Sequence, residues 1–179
     1  MRIIAGSLKG RRLKAPTWDG LRPTSDKLRE TLFNILSPVV EGARVLDGYA
    51  GTGAVGIEAL SRGAAHVTFV ERDRRAQALI AANLAGCGIA DGYAIIRAGL
   101  ERAAVELPQA SFDLVLLDPP YDHDAAAAIQ SVAGLLAANG TVVLEHARRR
   151  AAPASVGELT RTREVVSGDS ALALYSCPP

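Results

Sequence analysis

A carboxylate, two prolines and a tyrosine stand in a row at Asp118-Pro119-Pro120-Tyr121, directly after the apolar run Phe112 to Leu117. Two consecutive prolines remove two backbone donors and fix two φ angles, so the chain here is stiff and cannot continue a sheet ladder. The result is a rigid acceptor beside a flat ring. That pair suits a planar ring with an exocyclic NH2. The Asp118 carboxylate and a freed carbonyl accept its protons, and the Tyr121 ring stacks on its face. Asp-Pro-Pro is also ordinary turn chemistry, because proline ends strands and aspartate caps the next element. The rest of the chain has to decide between the two.

A second group lies upstream. Gly51, Gly53 and Gly56 match G-x-G-x-x-G within the run Asp47 to Gly56. Glycines between a strand and a helix permit a tight turn and close approach of a ligand to the helix N-terminus. Glu71, 20 residues after Gly51, ends the next apolar run, where an acid commonly holds ribose hydroxyls. The motif points to a nucleoside ligand without saying which. Asp47 narrows the choice. A carboxylate just before the glycines repels a pyrophosphate and suits a ligand carrying an ammonium and a sulfonium, although it can also cap the loop amides.

Elements that position these residues follow from periodicity. Leu28, Leu32, Ile35 and Leu36 form one face of a helix that starts near Thr24–Asp26 and stops at Pro38. From Ala43 strands and helices alternate. Strands are expected at 43–46, 66–70, 93–97, 112–117 and 141–145. Helices are expected at 54–61, from a cap at Asp73 to about Leu84, at 100–107, and from a cap at Asp124 to Ala138, with Asn139-Gly140 as its stop. Strands that are apolar throughout imply a parallel sheet covered on both faces, hence a doubly wound, Rossmann-like α/β fold. Thr160–Val166 and Ala171–Cys177 flank Ser167-Gly168-Asp169-Ser170 and predict a C-terminal antiparallel hairpin. If the sheet is doubly wound, the strands ending at Asp47 and Asp118 are neighbours, and both groups share one crevice.

The 179 residues suffice for one domain with a substantial core and contain no repeat. Residues 1–22 read as a basic N-terminal arm or hairpin plus loop, and 23–179 as the domain. The overall charge of +1 excludes a general polycation. Residues 1–36 nevertheless carry eight basic and three acidic residues, a net of +5 against −4 elsewhere. Such asymmetry suggests an arm for phosphates. Cys87 and Cys177 lack metal-ligand spacing and read as reduced thiols. The opening MRIIAGSLKG has no apolar signal core, and no 18-residue apolar run occurs, so a cytoplasmic protein with no membrane span is expected.

The segments MRIIAGSLKGRRL, LRPTSDKLRETLFNIL, VLDGYAGTGAVGIEALSRGA, FVERD, FDLVLLDPPYD and NGTVVLEH together resemble the bacterial RsmD-type 16S rRNA guanine-N2 methyltransferases, class I S-adenosylmethionine enzymes. The resemblance covers nearly the whole chain. It implies that Asp47, Gly51 and Gly53 line the methionine part of S-adenosylmethionine, with Tyr49, Ala50, Arg72 and Thr24 also at the cofactor and Glu71 on its ribose. Asp118, Pro119, Pro120 and Tyr121 hold the target base as the catalytic group. Arg2, Lys9, Arg11, Arg12, Lys14, Arg22 and Arg29 face RNA. The implied partner is 16S rRNA within a small ribosomal subunit or assembly intermediate, met by a monomer that needs no metal. Three positions depart from the family pattern: Gly48, Tyr49 and Gly99. The loop reads Asp47-Gly48-Tyr49-Ala50-Gly51 in place of D-L-F-A-G. Gly99 stands where an acid usually meets the cofactor adenine, leaving backbone groups or Glu101.

Three other readings compete. An adenine-N6 methyltransferase uses the same tetrapeptide, but no separate target-recognition domain is evident. A nicotinamide-dependent oxidoreductase explains the glycines and Glu71 and leaves Asp47 and Asp118–Tyr121 idle. A non-catalytic RNA-binding module leaves the whole motif set idle. Asp122, His123 and Asp124 read as a helix cap and a surface histidine rather than a metal site. Glu145-His146 end the fifth strand near the same crevice and read as structural or as support for the site, Trp18 and Tyr49 as either loop packing or ligand neighbours, and Arg148-Arg149-Arg150 as a solvated turn.

Overall fold

The computed structural model describes residues 1–21, 24–120 and 122–178. Its sheet has eight strands in the order β3-β2-β1-β4-β5-β8-β7-β6. The first five in chain order, β1 (Arg44–Asp47), β2 (His66–Val70), β3 (Tyr93–Ile96), β4 (Phe112–Leu117) and β5 (Leu136–Ala147), pair in parallel. β6 (Ser155–Val156), β7 (Leu159–Ser167) and β8 (Ser170–Ser176) add antiparallel strands at the β5 edge. The chain order reverses between β1 and β4, where Asp47 pairs with Leu116. This is the doubly wound, Rossmann-like sheet that the alternating pattern predicts.

Alternation along each strand sorts side chains into two cores. Val45, Phe69, Leu114, Leu116 and Val143 pack with Leu28, Leu32 and Phe33 of α1 (Asp26–Leu36), Ile57 of α2 (Ala54–Ser61), and Ile80 and Leu84 of α3 (Arg74–Gly86). Leu46, Val70, Val115, Leu117 and Leu144 pack with Leu100 and Ala103 of α4 (Leu100–Glu106), and Ile129 and Val132 of α5 (Ala125–Val132). Ser25, Asp73 and Asp124 cap α1, α3 and α5, each accepting from a backbone amide in the first turn.

Two expectations need correction. The helix after Asp124 does not reach Ala138. It ends at Val132, gives one 3-10 turn, and the strand begins at Leu136. Alanine propensity is overridden because Leu135 and Leu136 are buried against β4, and Phe112 pairs with Leu136. Asn139, at φ +65°, and Gly140 make a tight bend inside β5 instead of a helix stop. At the N-terminus the expected arm or hairpin folds back on itself through the antiparallel Arg2–Arg12 bridge, with the Ile3 amide donating to the Arg11 carbonyl at 2.9 Å and the Leu13 amide to the Met1 carbonyl at 3.1 Å. The segment is firmly seated. Ile3 and Leu13 are buried in the α1–α2 core, and the Ile4 and Ala5 amides donate to Glu58 at 2.8 and 3.0 Å.

Candidate active site at the carboxyl edge of the sheet

Four neighbouring parallel strands each deliver an acid to the same edge. Asp47 is the last residue of β1, Glu71 follows β2, Asp118 follows β4, and Glu145 lies on β5 just past the last β4 pair, Leu117 with Leu144. Alternation puts all four on the α1–α2 face: Val45, Phe69, Leu116 and Val143, two positions earlier in each case, belong to that core. All four acids line one crevice of about 550 Å³. The glycine loop, Gly99 to Glu101, Thr24 ahead of α1, and Leu28 and Leu32 on α1 complete its walls.

The loop is shaped by its glycines and held by two of the acids. Gly51 and Gly53 take φ of +54° and +77°, which side chains disfavour. Gly56 is needed for another reason: a Cβ there would lie 2.3 Å from the Phe69 ring, so its absence lets α2 rest on β2. Glu71 accepts the Gly51 amide at 2.9 Å and the Asp73 amide at 2.8 Å through its two oxygens. Holding the loop is thus a duty of Glu71 that the ribose expectation did not include. Asp47 accepts the Gly56 amide at 3.1 Å, so it does cap the loop helix. One amide is little compensation for burying a carboxylate. Desolvation, with the charges of Asp118 and Glu71 nearby, raises its pKa from 3.8 to about 7 despite that hydrogen bond.

Tyr49, Ala50, Arg72 and Thr24 also line the crevice. The Tyr49 hydroxyl is buried without a hydrogen-bond partner among the described residues, and its ring meets His123 edge to face at 6.2 Å. Burial and the nearby Glu101 charge push its pKa up to about 12. Trp18 to Leu21 reach across the glycine side of the crevice. Trp18 is stacked under the Arg75 guanidinium at 5.1 Å, and Arg75 in turn pairs with Asp73 at 2.9 Å.

Pro119 and Pro120 line the crevice beside Asp118, and the Pro120 carbonyl accepts the His123 amide at 2.9 Å, closing a turn before α5. Tyr121 and Arg22 lie outside the described residues. No group of acids, histidines or cysteines able to hold a metal occurs among the described residues. None of their helices is long and apolar enough to cross a membrane.

Of the residues expected on RNA, Arg2, Lys9, Arg11, Arg12 and Lys14 are exposed on the N-terminal segment. Arg29 is not among them, which corrects the expectation. Its side chain is 0% exposed and its guanidinium donates to the Arg2 carbonyl at 2.8 Å and pairs with Asp26. It also faces the equally buried Glu58 at 3.6 Å. The physical reason is helical spacing: Arg29 precedes Leu32 by three and Phe33 by four, inside the apolar stripe of α1. Glu145 shows the opposite shift. Expected near the crevice as a structural or supporting residue, it forms part of the crevice wall, where its carboxylate accepts the Ser170 hydroxyl at 3.2 Å.

Comparison with known proteins agrees with this arrangement. A family model described as "Conserved hypothetical protein 95" matches residues 1–176. The Bacillus subtilis protein YlbH is 39% identical over 98% of both chains. The Escherichia coli protein named ribosomal RNA small subunit methyltransferase D is 35% identical over 98% of this chain and 89% of that one. The solved structure of Escherichia coli yhhF matches with a TM-score of 0.87 at 33% identity, over 99% of this chain and 97% of that one. With its glycine loop, its Asp-Pro-Pro turn and the matched length, the chain belongs to the conserved hypothetical protein 95 family, that of the RsmD-type rRNA methyltransferases.

Proposed function

We propose that this chain methylates the exocyclic N2 amine of a guanine in 16S rRNA, using S-adenosylmethionine and acting on the small ribosomal subunit or an assembly intermediate. One observation carries the reading: the Asp118-Pro119-Pro120 turn and the glycine loop after Asp47 end adjacent strands and open into one crevice. The residues present suit the cofactor. A buried carboxylate held above its ordinary pKa, as Asp47 is, has a standing demand for a cation. Gly51 and Gly53 let backbone amides approach a ligand, Tyr49, Ala50, Arg72 and Thr24 complete that end of the crevice, and Glu71, which lines it too, is the residue proposed for the ribose hydroxyls. S-adenosylmethionine, when bound, supplies an electrophilic methyl group.

The chain's own contribution is alignment. An aromatic amine is a poor nucleophile because its lone pair is delocalised into the ring. Asp118 and the Pro119 carbonyl accept its two N–H groups, which favours a pyramidal nitrogen with the lone pair directed out of the ring plane. Fixing that geometry can supply roughly 7–11 kcal/mol through effective molarity. No strong base is needed beforehand, and the proton leaves to Asp118 or to water. Arg2, Lys9, Arg11, Arg12 and Lys14 supply phosphate contacts on a segment that leads into Trp18–Leu21 at the crevice.

Asp118→Ala tests this division of labour. Cofactor affinity stays near the wild-type value, and methyl transfer falls by about a hundredfold or more. A variant that methylates subunits at the wild-type rate refutes the role of Asp118.

A further inference from the structure

Asp118 alone accepts an amine from guanine or from adenine, so the choice of base needs another group. Glu145 stands one strand away. β4 and β5 run in parallel with Leu117 opposite Leu144, so the next residues, Asp118 and Glu145, lie side by side on the same sheet face. Both line the crevice. Apolar side chains adjoin Glu145: Leu172 is its partner across β5 and β8, and Val143 lies two residues earlier on the same face, both lining the crevice. Glu145 is partly buried there, and the Ser170 hydroxyl, at the start of β8, donates to one of its oxygens at 3.2 Å, which orients the carboxylate.

We infer that Glu145 selects guanine by accepting the ring N1–H beside the reacting N2 amine. The inference rests on the methyl-transfer reading above. Guanine presents two adjacent donors, the N1–H and the amine, and two carboxylates on neighbouring strands match that edge. Adenine places an N1 lone pair next to its amine, and a carboxylate acceptor facing it is repelled. Glu145 is therefore a specificity contact. Asp118 remains the partner of the reacting nitrogen, and Ser170 is a positioning residue acting through Glu145.

2-Aminopurine probes the contact because it keeps the 2-amine and replaces the N1–H with a lone pair; it also lacks the O6 carbonyl, a difference common to the wild type and Glu145→Gln that cancels when their preferences are compared. The assay compares methyl transfer to reconstituted small subunits that carry guanine or 2-aminopurine at the nucleotide the wild-type enzyme modifies. The wild-type enzyme is expected to prefer guanine by roughly 10- to 100-fold, the range for a hydrogen bond to a charged group. Glu145→Gln offers either an acceptor or a donor to N1, so its preference falls to within about threefold, with cofactor affinity unchanged. Wild-type enzyme that methylates both bases equally overturns the inference without recourse to any variant. So does a Glu145→Gln enzyme of native cofactor affinity that keeps the full preference. A wild-type enzyme that transfers no methyl to unsubstituted subunits fails at the earlier step, and refutes the methyltransferase reading itself.

Discussion

Asp47 makes cofactor binding dependent on pH in a way that can be worked out from its surroundings. Asp47 is 5% exposed and lies near Asp118 and Glu71; burial first, and those charges with it, hold its pKa at about 7 despite the one amide it accepts. In the unliganded protein it keeps its proton across the range in which an unfolded aspartate, with pKa 3.8, has lost it. The folded state then binds more protons than the unfolded one, so this group's contribution to stability falls as pH rises from about 4 to 7. A ligand with an ammonium and a sulfonium reverses the preference, because it binds the ionised form. Affinity must therefore rise with pH through about 7. If only the ionised form binds, the apparent Kd is about twofold weaker at pH 7 and about 11-fold weaker at pH 6 than at the alkaline limit. Isothermal titration with S-adenosylmethionine from pH 6 to 8, in buffers of differing ionisation enthalpy, measures both the slope and about half a proton released at pH 7. Asn is the neutral isostere of protonated Asp, so Asp47→Asn should bind weakly at every pH, and the gap to the wild type should narrow about 11-fold from the alkaline limit to pH 6. The ligand's own amino group titrates alike in both proteins and cancels in the comparison. An affinity that is flat in the wild type, or equally steep in Asp47→Asn, refutes the reasoning.

Three further outcomes concern other parts of the molecule. Arg29→Ala removes a fully buried side chain that bonds the Arg2 carbonyl and Asp26, while Glu58 keeps Arg62 and the Ile4 and Ala5 amides, so the fold should lose roughly 2–5 kcal/mol in urea or thermal unfolding, the range for emptying a large buried site, whereas Arg12→Ala on the exposed segment changes stability within about 0.5 kcal/mol; a small loss at Arg29 counts against its packing role. Gly56→Ala would ordinarily favour a helix by about 1 kcal/mol, but its Cβ would meet the Phe69 ring at 2.3 Å, so denaturation should show a net loss of about 1–3 kcal/mol from overpacking. Lys9→Ala with Arg12→Ala should weaken RNA binding and flatten the slope of log K against log salt by about 1–2; an unchanged slope removes those side chains from the interface.

Much of this arrangement was legible in the sequence because local rules and tertiary structure agree. Apolar runs that end at Asp47 and Asp118, with glycines after one and prolines after the other, specify parallel strands and the turns beyond them. The reading failed where local and global preferences diverge. Ala125 to Ala138 favours a helix residue by residue, yet burial of Leu135 and Leu136 converts its end into strand. Arg29 bears a charge that suggests solvent, and only its place in the α1 stripe reveals an internal ion pair with Glu58, 29 residues away. Glu145 carries no motif of its own. Its position beside Asp118 depends on β4–β5 register, which periodicity does not determine. The pattern that could have raised it from a supporting residue near the crevice to a wall of it is repetition, since the apolar runs before Asp47, Glu71, Asp118 and Glu145 each finish at an acid.

Methyl transfer to guanine is tested most directly by nucleoside analysis of small-subunit RNA. Subunits from a strain lacking this protein are incubated with the purified full chain and methyl-labelled S-adenosylmethionine, and the digested 16S rRNA is resolved by chromatography and mass spectrometry. The expected result is label in N2-methylguanine at a single nucleotide. Label in N6-methyladenine, or none in the RNA, contradicts it.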